Sequence, residues 1–167
     1  MKFSRLRKNR GFTLIELLTA MVIFSAVVII VGNIASSVIK AQRKIFAVQN
    51  VQEASRFIME MVSKEIRVSQ INTGASTGLT MLNITNADSE TFDYQFDNTN
   101  KRLLRDGEII SPSNVEVTGG FYVNEYTFPF APTRKTMTIV IKVKVSGDKA
   151  EQAAELNLQN TIAPRWY

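Results

Sequence analysis

Hydrophobic positions follow three successive rhythms along the chain. From Phe12 to Ile39 they are almost continuous, and Glu16 is the only ionisable side chain in that run. Phe12–Val31 alone supplies 20 residues, the length needed to cross about 30 Å of hydrocarbon as a helix. From Lys40 the rhythm becomes helical and one-sided. Lys40, Arg43 and Lys44 mark a polar interface, and Ile58, Met61, Val62 and Ile66 then fall on one face. Glu60 and Lys64 take the favourable i, i+4 order, leaving Glu53, Arg56, Glu65 and Arg67 for the wet sides. No Pro or Gly occurs between Asn33 and Asn72. These features predict one helix from about Thr13 to about Gln70, on the order of 85 Å at 1.5 Å per residue. Its first half would span a membrane and its second half would pack on a domain. The alternative is two helices broken near Gly32-Asn33, where Ser25, Asn33, Ser36 and Ser37 add polarity.

Beyond Gly74 the period shortens to two, and short β-prone runs alternate with turn residues. Leu79–Ile84 and Thr91–Phe96 are candidate strands around Asn86-Ala87-Asp88, and Lys101–Arg105 returns after the loop Asp97-Asn98-Thr99-Asn100. Asp106-Gly107 is a two-residue hairpin signal, since both residue types tolerate positive φ, and Glu108–Ser111 follows it. Gly119-Gly120 precedes Phe121–Tyr126. The clearest strand is Thr136–Val145, with Met137, Ile139, Ile141, Val143 and Val145 on one face and Thr136, Thr138, Lys142 and Lys144 on the other. Val140 breaks that alternation. Ala154, Leu156 and Leu158 repeat it against Glu155, Asn157 and Gln159. A sheet with one apolar face needs a cover, and the Ile58/Val62/Ile66 stripe supplies one. The expected fold class is α+β: a long N-terminal helix packed on a C-terminal antiparallel sheet of about six to eight strands. Asn72–Gly78 reads as a flexible connector.

Charge adds a direction. Lys2, Arg5, Arg7, Lys8 and Arg10 are 5 of the 20 basic residues, and this leader holds none of the 15 acidic ones. Beyond Gly11 the balance is therefore 15 against 15, so the net charge of +5 is a topology signal rather than a nucleic-acid signal. Positive flanks stay cytoplasmic, which places the rest of the chain across the membrane. The absence of cysteine excludes disulfides, thiolate chemistry and a lipid-anchoring cysteine. The absence of histidine removes Ser-His-Asp and Cys-His catalysis and the commonest metal ligand. An ordinary secretory signal fits poorly, because the apolar run is too long, carries a charge and lacks a small-x-small site at its far end.

Arg10-Gly11-Phe12-Thr13-Leu14-Ile15-Glu16-Leu17-Leu18, following the basic leader, resembles the prepilin signature of type IV pilins and type II secretion pseudopilins. The resemblance covers Gly11 to about Val31. It implies that a membrane-embedded prepilin peptidase cuts between Gly11 and Phe12 and N-methylates the new Phe12 amine. Glu16 becomes the fifth mature residue, which in that family pairs with the N-terminal amine of a neighbouring subunit during assembly. Two opposite charges that are costly alone in lipid become cheaper as a pair. The plainer reading is that Glu16, about 7 Å along the axis from Phe12, snorkels to the headgroups. The implied organisation is a leader over residues 1–11, a transmembrane helix over 12–39, an amphipathic continuation over 40–71 and a sheet over 72–167. The implied partners are the prepilin peptidase, other pilin or pseudopilin subunits and an inner-membrane assembly platform. The implied localisation is the cytoplasmic membrane and then an extracellular or periplasmic filament.

A looser resemblance, to W-type minor pilins and J-type minor pseudopilins, rests on Arg56–Arg67, Phe92-Asp93-Tyr94, Leu103–Gly107 and Leu156–Arg165. It implies a structural minor subunit acting at initiation or the tip, with Phe121, Tyr122 and strand edges presented to neighbours or cargo. The mid-segment proline of many major pilins is missing, since none occurs before Pro112. The alternative function is an adhesin or DNA-receptor pilin. Its basis would be Lys101, Arg102, Arg105, Arg134, Lys135, Lys142 and Lys144, but lysine on an exposed strand ordinarily serves solubility. Asp88, Glu90, Asp93 and Asp97 supply oxygen ligands at a spacing that matches no calcium loop. Asn83-Ile84-Thr85 is a sequon by pattern alone. No catalytic residues, cofactor, metal or nucleic-acid partner are expected.

Overall fold

An unbroken supply of helix-compatible residues gives a first helix, α1, over Leu14–Arg67, as described in a computed structural model of the chain. The structure describes residues 11–147 and 149–165. The basic leader lies outside them except for Gly11. No break occurs at Gly32-Asn33. The helix closes three residues earlier than the sequence suggests. Val68 and Ser69 donate their N–H groups to Glu65 and Ile66 at 3.2 Å each, tightening the last turn. The Ser69 hydroxyl also donates to the Glu65 carbonyl at 2.6 Å. Gln70–Ile71 then forms a strand, β1.

The chain divides into two compact units between Ala41 and Gln42. The first contains the apolar part of α1, whose side chains are exposed throughout and whose length and composition suit a membrane span. In the second, Ala47, Val51, Ala54, Ser55, Ile58, Val62, Ser63 and Ile66 of α1 are buried. Their spacing continues the predicted stripe three turns toward the N-terminus, from Ile58 back to Ala47, largely through small residues that a search for large hydrophobes passes over. Met61, assigned to the stripe from spacing, is only half-buried.

Eight further strands follow among the described residues: β2 Ser76–Leu79, β3 Met81–Thr85, β4 Thr91–Asp97, β5 Arg102–Arg105, β6 Glu108–Ile109, β7 Glu116–Phe128, β8 Ala131–Val145 and β9 Ala154–Ile162. They form two antiparallel sheets rather than the single one expected, in the orders β1-β3-β4-β5-β6 and β2-β7-β8-β9. The expected strand Leu79–Ile84 is in fact split at Thr80. Gly78 at φ +69° lets β2 turn away to pair with β7, while β3 pairs with β1 and β4. Asn72–Gly78 is correspondingly pinned rather than free. The Asn72 N–H donates to the Asn83 carbonyl at 3.0 Å, and the Asn83 N–H donates to the Thr73 hydroxyl at 2.9 Å.

Asp106 and Gly107 take φ of 50° and 79°, as the two-residue hairpin requires, and pair Arg105 with Glu108. The inward faces of both sheets and the α1 stripe make one hydrophobic cluster, which contains Leu82, Tyr94, Phe96, Leu103, Val117, Met137, Ile139 and Ile141. Phe121 is fully buried, with its ring centroid 4.8 Å from that of Phe96. Of the two aromatic residues expected on the surface, only Tyr122 is exposed. Phe121 turns inward because it lies opposite the core residue Ile139 on β8.

Candidate functional site

The start of α1 brings Thr13 and Glu16 together, one residue after Phe12. Gly11 is exposed, with nothing within 4 Å of where a Cβ would stand, and Phe12 is 84% exposed. The Glu16 N–H donates to the Thr13 hydroxyl at 3.3 Å, and the Thr13 N–H donates to a Glu16 carboxylate oxygen at 3.4 Å. This is a reciprocal capping box, with Thr13 as the cap and Glu16 three positions on. The carboxylate also lies in the first turn, where the helix dipole favours negative charge. Neither snorkelling nor pairing anticipates this role. The signal was present in the Thr-x-x-Glu spacing. Farther along, the Thr19, Ser25 and Ser37 hydroxyls donate to backbone carbonyls three or four residues earlier, so these polar residues satisfy themselves inside the apolar segment.

The four carboxylates considered for a metal are held in separate local structures. Asp93 accepts from the Asn83 side-chain amide at 2.7 Å. Asp97 accepts from the Thr99 and Asn100 N–H groups at 3.0 and 2.9 Å, and the hydrogen bonds from Asn100 hold its pKa down. Glu90 and the Asp88 backbone belong to a turn organised by Asn86. Among the described residues no three such groups converge. The sequon residue Asn83 has its side chain engaged on both sides, by Asp93 and by Asn72.

The basic residues are largely compensated. Lys101 pairs with Glu116 at 3.1 Å and Lys142 with Glu155 at 2.7 Å, which lowers the Glu155 pKa. Arg102 donates to the carbonyls of Pro112 and Val115 at 3.0 Å each. The Lys135 ammonium donates to those of Ile71 and Thr73 at 3.2 and 3.1 Å. Arg105 bonds Glu65 of α1 at 2.8 Å and lies 4.1 Å over the Phe92 ring. The hydroxyl of buried Tyr94 donates to the same Glu65 carboxylate. Burial first, and then the Glu65 hydrogen bond, push the Tyr94 pKa up; the Glu65 bond likewise raises that of Arg105. Glu65 thus latches the helix to β4 and β5.

A concavity of about 450 Å³ is lined by Ile71, Thr85, Asn86, Glu125, Lys135 and Arg165 among others. Lys135 is already committed to carbonyls there, and Glu125 faces it across the β7–β8 register. With Lys135 held by backbone carbonyls, this arrangement sets no base against a nucleophile. The chemically distinctive arrangement therefore remains the exposed Gly11–Phe12 backbone ahead of a capped apolar helix. No curated protein and no solved structure matches the chain. Residues 6–32 match the family described as the prokaryotic N-terminal methylation motif, so the chain carries such a motif across the leader junction, Phe12, Glu16 and most of the apolar run.

Proposed function

We propose that the chain is a structural subunit of a type IV-like filament, a minor pilin or minor pseudopilin processed by a prepilin peptidase. One observation carries this reading: the methylation motif over residues 6–32 coincides with an exposed apolar helix whose first turn holds Glu16. Cleavage falls between Gly11 and Phe12, where no side chain on Gly11 obstructs approach to the backbone. Phe12 then carries the methylated amine. Residues 12–39 hold the subunit in the cytoplasmic membrane with residues 40–167 outside. Glu16 pairs with a neighbour's Phe12 amine as the helix leaves lipid for the filament, and the assembly platform drives that transfer. The compensated state of Lys101, Arg102, Arg105 and Lys142 supports a structural subunit over a DNA receptor. Intact-mass measurement and N-terminal sequencing of membrane-extracted protein test the reading. The expected chain begins at N-methylated Phe12. A mature chain that retains residues 1–11, or is cut near Ala35–Ser37, overturns it.

A further inference from the structure

β9 is an edge strand with an unfinished inner face. It pairs with β8 over its whole length, from Met137↔Ile162 to Val145↔Ala154, and among the described residues no strand pairs on its other side. α1 is nevertheless tied to its two flanks, by Lys44 donating to the Ala153 carbonyl at 2.6 Å and by the Arg165 N–H donating to the Arg67 carbonyl at 2.8 Å. Among the described residues, its outward backbone groups find no further backbone partner. Edge strands are usually blunted by lysine, proline, a bulge or a cover. Ala154–Ile162 contains neither lysine nor proline, shows no register shift, and exposes Asn157, Gln159 and Thr161 beside a single charged residue, Glu155. On the inner face, Met137, Ile139, Ile141 and Val143 of β8 are fully buried, whereas Leu156 and Leu158 of β9 are only partly covered. The apolar layer therefore stops one strand short.

Beside this edge lies a groove of about 370 Å³ between β9 and α1, tied across by the Asn160 side-chain amide donating to the Ser63 hydroxyl at 3.0 Å. Its lining includes Met59, Arg56, Lys64 and Arg67. Lys64 is neutralised by Glu60 at 2.9 Å, and Glu155 on the strand is neutralised by Lys142. Arg56 and Arg67 make no ion pair among the described residues. An occupant of this edge meets a strand template about 30 Å long at 3.3 Å per residue, an apolar row and two guanidinium groups that form no ion pair, in a groove whose one carboxylate, Glu60, is held by Lys64. A second copy fits poorly, because its β9 carries one carboxylate, Glu155, which Lys142 already pairs, and so offers nothing to meet Arg56 and Arg67. We propose that the free edge of β9 and its groove receive an extended acidic segment of another polypeptide as an added strand. Alternate residues of that segment cover Leu156 and Leu158, and its carboxylates meet Arg56 and Arg67. The inference does not depend on cleavage at Gly11, so it stands or falls apart from the filament reading.

The test uses the full-length chain in the membranes of its own cells. A photo-crosslinking residue is placed at Asn157 or Gln159, with exposed Gln95 on the other sheet as control. The expected result is adducts from both β9 positions, mapped by mass spectrometry to residues two apart in one acidic segment, and none from Gln95. Combined Arg56→Glu and Arg67→Glu should lower the adduct yield roughly tenfold, while amide protection of β8 is unchanged. Adducts spaced three or four apart, as on a helix, overturn added-strand docking. Adducts to this chain's own β9 replace the partner with a second copy. Absence of adducts, equal labelling from Gln95, or an undiminished yield after charge reversal with β8 still protected also overturns the proposal.

Discussion

Glu16 is asked to satisfy three physical demands that different substitutions separate. As a capping residue it needs only an acceptor that reaches the Thr13 N–H, which glutamine also provides. As a snorkelling group its charge is a burden, and any neutral replacement helps insertion. As the partner of a neighbour's amine it must be anionic. Glu16→Gln keeps the cap and removes the charge, whereas Glu16→Leu removes both. If pairing drives assembly, both variants are cleaved yet poorly incorporated. If capping is the whole role, only leucine fails; if snorkelling is, neither does. The measurement is the amount of subunit in sheared filaments against its processed level in membranes. Tyr94 makes a demand of the opposite kind, since it must stay neutral. Its pKa is raised from 10.0, first by burial and then by Glu65. Above pH 10 the unfolded tyrosine gives up its proton while the folded one keeps it. Stability is thus fully present below the unfolded pKa and falls by about 1.4 kcal/mol per pH unit above it, until the folded group ionises. Tyr94→Phe should cost about 1–2 kcal/mol at neutral pH and flatten that alkaline slope. Urea titrations of the full chain in detergent between about pH 8 and about pH 11 check it, and an identical slope in the variant refutes the assignment.

At the scale of elements, what could be read depended on whether the signal was local. The helix was legible because its period and the missing prolines are properties of the chain itself, and Asp106-Gly107 was legible because two adjacent residues specify the turn. Residue types alone left the role of Gly119-Gly120 open. The pair stands ahead of the expected strand Phe121–Tyr126, yet β7 runs from Glu116 straight through it. The reason is non-local. A Cβ on Gly119 would lie 2.3 Å from the Val140 carbonyl oxygen and 3.0 Å from Cζ of Phe96, so this position needs a bare backbone where β4, β7 and β8 crowd together. Gly119→Ala should therefore destabilise by about 1–3 kcal/mol, although alanine ordinarily improves on glycine in a strand. Gly120→Ala, whose nearest neighbour is the Leu79 carbonyl at 3.3 Å, should cost less. Denaturant midpoints of the two variants decide. Equal losses would mean that strand propensity, not the close approach, governs both.

For the whole molecule, the sequence indicates one cover and one sheet, while the structure has one helix stripe serving two sheets through a shared core. The division was hidden because a strand's partner is not written in its alternation: Ser76–Leu79 and Met81–Thr85 look alike and pair in different sheets. The methylation motif was legible for the opposite reason, as it lies within one contiguous stretch, residues 6–32. With no cysteine, that shared core and the Glu65 latch carry the burden of holding the subunit together. Such a head offers few repeated surfaces: most charges are satisfied internally, and the free edge of β9 is an asymmetric feature suited to a different chain. α1 also lacks a proline that would release backbone carbonyls along its length. Both features fit a subunit used in small numbers, at initiation or the tip, better than one stacked along a shaft. Deleting the chain should then sharply reduce the number of filaments, while those that remain are built from another pilin. Quantitative mass spectrometry of purified filaments gives the ratio of this subunit to the most abundant one. A ratio far below one is expected for a starting or capping complex, which a fibre needs only at one end. Finding this chain as the most abundant component would make it the shaft subunit, and the β9 edge would then have to be covered by its own neighbours.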